Sequence, residues 1–271
     1  MSNDLTVRIL GCGSSGGVPR IGGPGGRGEW GACDPANPKN RRRRCSILVK
    51  RGETAVLVDT SPDMREQLID AGQGRLDAVL LTHEHADQLH GIDDLRMVAM
   101  VNKGRVPVHG SQETMAGVMA KFGYCFSTPP GSDYPPILTP HLIHRPFAEF
   151  HIGGPGGPIP VRAFDQEHGR IVAQGFRFGP VAYSSDVNGL TDESFAALEG
   201  VKVWIVDALR DRPHPSHAHV NLALSWIARV RPERGILTNL HTDLDYADLA
   251  QRLPPGVEPA FDGMTLRLAL A

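Results

Sequence analysis

Thr82-His83-Glu84-His85-Ala86-Asp87 follows a short apolar run, 78–81, that reads as a strand. In extended backbone, residues two apart project to the same side, so the imidazoles of His83 and His85 can reach one ion where the strand ends. Asp87 falls at the start of a helix predicted over 87–101. A carboxylate there suits the helix N-terminus and can also face an ion. With 12 His and 19 Asp among 271 residues, His-x-His-x-Asp is expected about 0.04 times by chance, so coincidence explains it poorly. The bland alternative is a solvated His-rich turn that Asp87 caps.

Three more candidate ligands each follow a predicted strand. His168 comes after 159–164, Asp186 after 180–184 and His241 after 235–240. Sites in layered α/β proteins gather at such strand ends, where loops present side chains. Strands are also predicted over 45–50, 54–59, 141–150, 171–178, 201–207 and 263–270. Helices are predicted over 63–71, 114–122, 192–199, 221–231 and 245–253. Mixed strands with helices in both halves imply sheets covered by helices on the outside. One domain over 1–271 is the default at this length.

A net charge of −2 gives no strong field toward nucleic acid or membrane. The first residues lack a basic start and a long apolar stretch, and no window approaches the ~18 apolar residues of a spanning helix. Cys12, Cys33, Cys45 and Cys125 form no Cys-x-x-Cys pair, so a cytoplasmic location is expected. The run Arg41–Arg44 reads as a solvated face rather than a phosphate site. The glycine-rich stretch 11–17 lacks the Lys-Ser/Thr ending of a P-loop and reads as tight backbone packing.

These residues carry a resemblance to a known family. Gly11-Cys12-Gly13-Ser14-Ser15-Gly16-Gly17-Val18-Pro19, Val58-Asp59-Thr60-Ser61-Pro62-Asp63, the 83–87 motif, His168, Asp186 and His241 together resemble the metallo-β-lactamase superfamily, in its phosphodiesterase-like branch. The resemblance implies an α/β (α+β) fold, a four-layer αβ/βα sandwich with the site on one edge of two packed sheets. It implies that His83, His85 and His168 bind one metal, and that Asp186 bridges to a second held also by Asp87 and His241. Asp59 is similar to the carboxylate that orients a histidine ligand. His217, within His214-Pro215-Ser216-His217-Ala218-His219, matches the histidine that protonates the leaving group or contacts phosphate, with His219 as second choice. The other reading of that stretch is a polar loop before helix 221–231, with Asn221 as its cap.

The sequence departs from the family pattern at Gln88, where the usual motif has a histidine for the second metal. An amide oxygen is a weaker, harder ligand, so the cofactor is expected to be Zn²⁺ or Mn²⁺, as one or two ions, with the second site weakened. His90 is the nearest residue able to compensate. The cysteine spacing around Cys33 and Cys45 gives no reason to expect the family's structural zinc.

The implied activity is a phosphodiesterase acting on a small cyclic phosphate or nucleotide-like diester through a metal-activated water. Asp87 would orient that water when one ion is bound, and His217 would act as acid. Two alternatives remain: a thioester or lactone hydrolase of the same fold, and a non-catalytic metal-dependent nucleotide-binding protein. The partner is expected to be a small-molecule phosphodiester or nucleotide, with no membrane; the near-neutral charge argues mildly against nucleic acid, and a homodimer stays open.

Overall fold

The structure, a computed structural model, describes residues 4–144 and 146–270. Its strands are β1 (Asp4–Gly11), β2 (Ser46–Arg51), β3 (Thr54–Val58), β4 (Ala78–Leu80), β5 (Val106–Gly110), β6 (Leu138–Leu142), β7 (Glu149–Ile152), β8 (Ile159–His168), β9 (Ile171–Phe178), β10 (Val181–Ser184), β11 (Val203–Asp207), β12 (Arg234–Thr238), β13 (Val257–Pro259) and β14 (Thr265–Ala269). They form two seven-stranded sheets, ordered β14-β1-β2-β3-β4-β5-β6 and β13-β12-β11-β10-β9-β8-β7. β3 to β6 run parallel in the first sheet, and β10 to β13 in the second.

The alternation of the strands builds the layers. Val7, Ile9, Ile47, Val49, Val56 and Val58 face Val161, Phe176, Tyr183, Ile205 and Ile236 of the other sheet across a central core. The intervening Leu48 and Leu57 point outward, onto Met64, Leu68, Leu95, Val98 and Met115. Those residues come from α1 (Met64–Asp70), α3 (Leu95–Asn102) and α4 (Gln112–Phe122), which follow or flank the short α2 (Ala86–Leu89). On the far side, Ala182, Trp204, Val206 and Leu237 pack on α5 (Asp192–Ala197), α6 (Val220–Val230) and α7 (Tyr246–Arg252). The result is the expected helix–sheet–sheet–helix sandwich. Each fully buried aliphatic side chain contributes about 1.5–3 kcal/mol to it. No helix of the described residues is long and apolar enough to cross a membrane.

Several expectations are corrected. The helix predicted over 87–101 is broken into α2, a 3₁₀ turn at Ile92–Asp94 and α3. Gly91 packs so tightly on the 60–61 loop that a Cβ there would overlap the Ser61 carbonyl oxygen. The strand predicted over 141–150 is two strands in different sheets, β6 and β7, joined by the crossover. β8 runs on to His168, because Gln166 and His168 continue the buried alternation of Phe164 despite their polarity. The cap of α6 is His219, without a side-chain cap bond, rather than Asn221.

The arginine run is not a solvated face. Arg42 is only 2% exposed. Its guanidinium donates to Leu244 O at 2.8 Å, Asn40 Oδ1 at 3.1 Å and His241 O at 3.2 Å, tying the long early loop to the loop after β12. Arg43 pairs with Asp70 and Arg44 with Asp63, while Arg41 lies over the Trp30 ring.

Candidate metal centre

The parallel strands release their C-terminal ends at one edge of the sandwich. Asp59 follows β3, residues 82–87 follow β4, Asp186 follows β10, Asp207 ends β11, and Asn239 follows β12. Asp59, Asp186 and Asn239 all take left-handed backbone angles, with φ of 64°, 53° and 61°. Asp and Asn tolerate that region better than other side-chain-bearing residues, and the bend turns each chain end sharply into the site.

His83, His85 and His168 offer ring nitrogens within 4.8 Å of one another. Two of the three imidazoles, His168 and His83, are oriented from behind. His168 Nδ1 donates to the Ser216 carbonyl at 2.7 Å, which fixes its tautomer and leaves Nε2 with a lone pair. That Nε2 stands 3.2 Å from His85 Nδ1. His83 Nδ1 is 2.9 Å from the Thr82 hydroxyl, which in turn lies 2.9 and 3.0 Å from the two oxygens of Asp59. His83 Nε2 is buried and has no hydrogen-bond partner. A buried polar nitrogen left unpaired is costly, and a cation between these rings would satisfy it. Asp59 therefore reaches its histidine through Thr82 rather than directly.

Burial, with the neighbouring imidazoles, holds His83 well below the ordinary histidine range. Burial likewise lowers His168 to about 4, with the charge of His217 adding to it. Both rings thus stay neutral, the form in which imidazole ligates metal.

A second group stands alongside: His168, Asp186 and His217 also offer atoms within 4.8 Å of one another. His217 Nδ1 is 2.8 Å from Asp207 Oδ2 and 3.8 Å from Asp186 Oδ1. Burial works to lower His217, but the Asp207 carboxylate outweighs it and lifts the imidazole to about 9. Burial, with the charge of Asp87, pushes Asp186 up to about 8. A cation beside Asp186 would reverse that shift.

Asp87 and His241 stand outside both groups. Asp87 is half-buried at the start of α2, near enough for its charge to act on Asp186. His241 turns Nδ1 toward its own loop, 3.1 Å from the Asp243 amide and carboxylate. Gln88 is fully buried and donates its amide N–H to Asp186 Oδ2 at 2.9 Å. His90 packs its ring edge on Phe122 instead of entering the cluster. His219 keeps a buried Nδ1 without a partner. Asp207 went unread in the sequence, although Val203-Trp204-Ile205-Val206-Asp207 ends an apolar run in an acid, as 56–59 does.

Residues 54–239 match the family described as beta-lactamase superfamily domain. The chain belongs to the beta-lactamase superfamily. Within that superfamily, a crystal structure of a diphosphatase from the PhnP family is 30% identical, with 98% of each chain covered and a TM-score of 0.87. An octanoyltransferase of Porphyromonas gingivalis is 30% identical over 262 residues, 94% of this chain and 50% of the relative. A ribonuclease Z of Mycobacterium sp. (strain KMS) is 30% identical over 154 residues, 52% of each. The chain spans about half the length of these curated relatives. The superfamily's metallo-β-lactamase sandwich is the architecture described above.

Proposed function

We propose that the chain is a metal-dependent phosphodiester hydrolase acting on a small cyclic phosphate or nucleotide-like diester. The observation that carries this reading is the convergence of His83, His85 and His168 around a buried, unpaired His83 Nε2, beside a histidine held by a carboxylate. His83, His85 and His168 would hold a divalent ion, zinc or manganese. Asp186 would face it, and Asp87 and His241 would serve a second, weaker position. A divalent ion there supplies Lewis acidity to the phosphoryl oxygens and hydroxide at neutral pH.

The chain's own residues supply the proton. His217 Nδ1 is committed to Asp207, so its Nε2 is the atom left to face substrate. An imidazolium raised to about 9 is a competent donor to a departing alkoxide. Asp207 keeps that ring charged and oriented. Gln88 and Asp87 steer the Asp186 carboxyl, the first by hydrogen bond and the second by charge. The 30% identity to a PhnP-family diphosphatase over the whole chain, and to a ribonuclease Z over half of it, supports phosphorus as the reacting centre.

The test is turnover of bis(p-nitrophenyl) phosphate and cyclic nucleotides by protein reloaded separately with Zn²⁺, Mn²⁺ and Mg²⁺. Absence of turnover with every ion overturns the reading. The octanoyltransferase relative motivates the second reading, a thioester hydrolase. It is favoured if an octanoyl thioester is cleaved and no phosphodiester is.

A further inference from the structure

Beside the imidazole cluster, and sharing His83 with it, lies a cavity of about 610 Å³. That size suits a drug-sized or nucleotide-sized ligand, and a small cyclic phosphate alone would leave much of it empty. We infer that this cavity seats the nucleoside of a nucleoside diphosphate ester, with Arg170 on the second phosphate. The inference rests on the phosphodiester reading above and names its substrate class.

The lining is asymmetric in a way that matches such a ligand. One wall comes from the strand ends Leu142 and Ile143 and from Ile171 and Val172 on the β8–β9 hairpin. Leu142, Ile171 and Val172 are 42%, 37% and 56% exposed. Branched apolar side chains collected around a cavity offer burial to a flat apolar body such as a base.

Arg170 occupies the two-residue turn of that hairpin, two positions beyond His168. Among the described residues its guanidinium makes no hydrogen bond or ion pair. A planar fork of donors suits a phosphate, and Arg170 lines the same cavity as His83, the imidazole beside which the first phosphoryl group would react. The acidic lining is partly neutralised, since Glu84 pairs with Lys121 at 2.5 Å. Glu113 is the remaining acid on the α4 side.

Gln174 gives an independent pointer. It lines the cavity, is 3% exposed, and donates Nε2 to Asp165 Oδ1 at 2.6 Å. The opposite amide orientation would set oxygen against carboxylate, so the nitrogen position is fixed. Gln174 Oε1 is then a buried acceptor without a partner. Such an atom calls for a donor, and a small shift of this side chain toward the cavity would let a nucleobase N–H supply one.

The experiment is calorimetric titration of the metal-loaded full chain with ADP and, separately, with inorganic pyrophosphate, which carries the phosphates without a nucleoside. Val172→Asp and Arg170→Ala are both exposed substitutions, checked for folding by circular dichroism. Val172→Asp is expected to weaken ADP about tenfold or more while leaving pyrophosphate unchanged, and Arg170→Ala to weaken both about tenfold. Unchanged ADP affinity in Val172→Asp, or equal losses for both ligands there, overturns the assignment of the cavity. If the expected pattern holds but bis(p-nitrophenyl) phosphate is never turned over, the cavity stands and the hydrolytic reading falls. If turnover is seen without that pattern, the reverse follows.

Discussion

The carboxamide nitrogen of Gln88 lies 2.9 Å from Oδ2 of Asp186, so the residue that stands where the sequence resemblance expects a histidine holds a proposed metal ligand by hydrogen bond. Its Oε1 has no partner. Gln88→His would exchange that donor for an imidazole able to ligate. Elemental analysis of the reloaded protein is expected to rise from about one zinc per chain toward two, in line with the preference of imidazole for this ion. An unchanged stoichiometry would mean that Gln88 does not limit the second position.

Asp207 accepts from His217 at 2.8 Å and holds its imidazole near 9 against the opposing effect of burial. In Asp207→Asn, burial is left with less opposition. The alkaline limb of the pH–rate profile should then move down by about one pH unit or more. His217→Ala should cost about 100-fold on diesters with alkyl leaving groups and far less on p-nitrophenyl esters, which leave without a proton. Equal losses on both would argue against an acid role.

Thr82 joins Asp59 to His83. Thr82→Val keeps the shape and removes the hydroxyl. Competition with a chelator should reveal an affinity for zinc lower by about 10–100-fold, the usual cost of losing the group that orients a histidine ligand. Thr82→Ser should restore most of it.

Arg42 fastens two loops through the carbonyls of Leu244 and His241 and the side chain of Asn40. Arg42→Met strands those acceptors in the interior. Urea denaturation should report a loss of about 3 kcal/mol or more. A neutral substitution would show that water replaces the guanidinium.

His109 stacks on His141 at 4.6 Å, and burial lowers it from 6.5 to about 4. The folded chain therefore binds fewer protons than the unfolded chain between those values. Stability is whole above pH 6.5 and drains away as pH falls toward 4, by about 2–3 kcal/mol. His109→Phe should flatten that part of the stability–pH curve relative to wild type, as followed by denaturant midpoints at pH 7, 5.5 and 4.

The strands and most helices were legible because one-sided burial leaves a period in the sequence, as in Leu5-Thr6-Val7-Arg8-Ile9 or along α6. The imidazole cluster was legible because extended geometry dictates the spacing of His83 and His85. What escaped depended on contacts distant in the chain. Nothing local separates Arg42 from the other arginines of the run; its burial comes from carbonyls about 200 residues away. The break at Gly91 comes from docking on the 60–61 loop, and polar Gln166 and His168 hid the length of β8. Asp207 carried a signal, an acid closing an apolar strand, yet its partner His217 is set by tertiary structure.

The left-handed corners at Asp59, Asp186 and Asn239 have an evolutionary cost attached. Glycine would relax each bend and is the replacement that selection for heat tolerance would find first. It would also delete a carboxylate or amide from the reacting edge. Lineages under thermal pressure should therefore gain robustness elsewhere in the sandwich and leave these three bends uncomfortable.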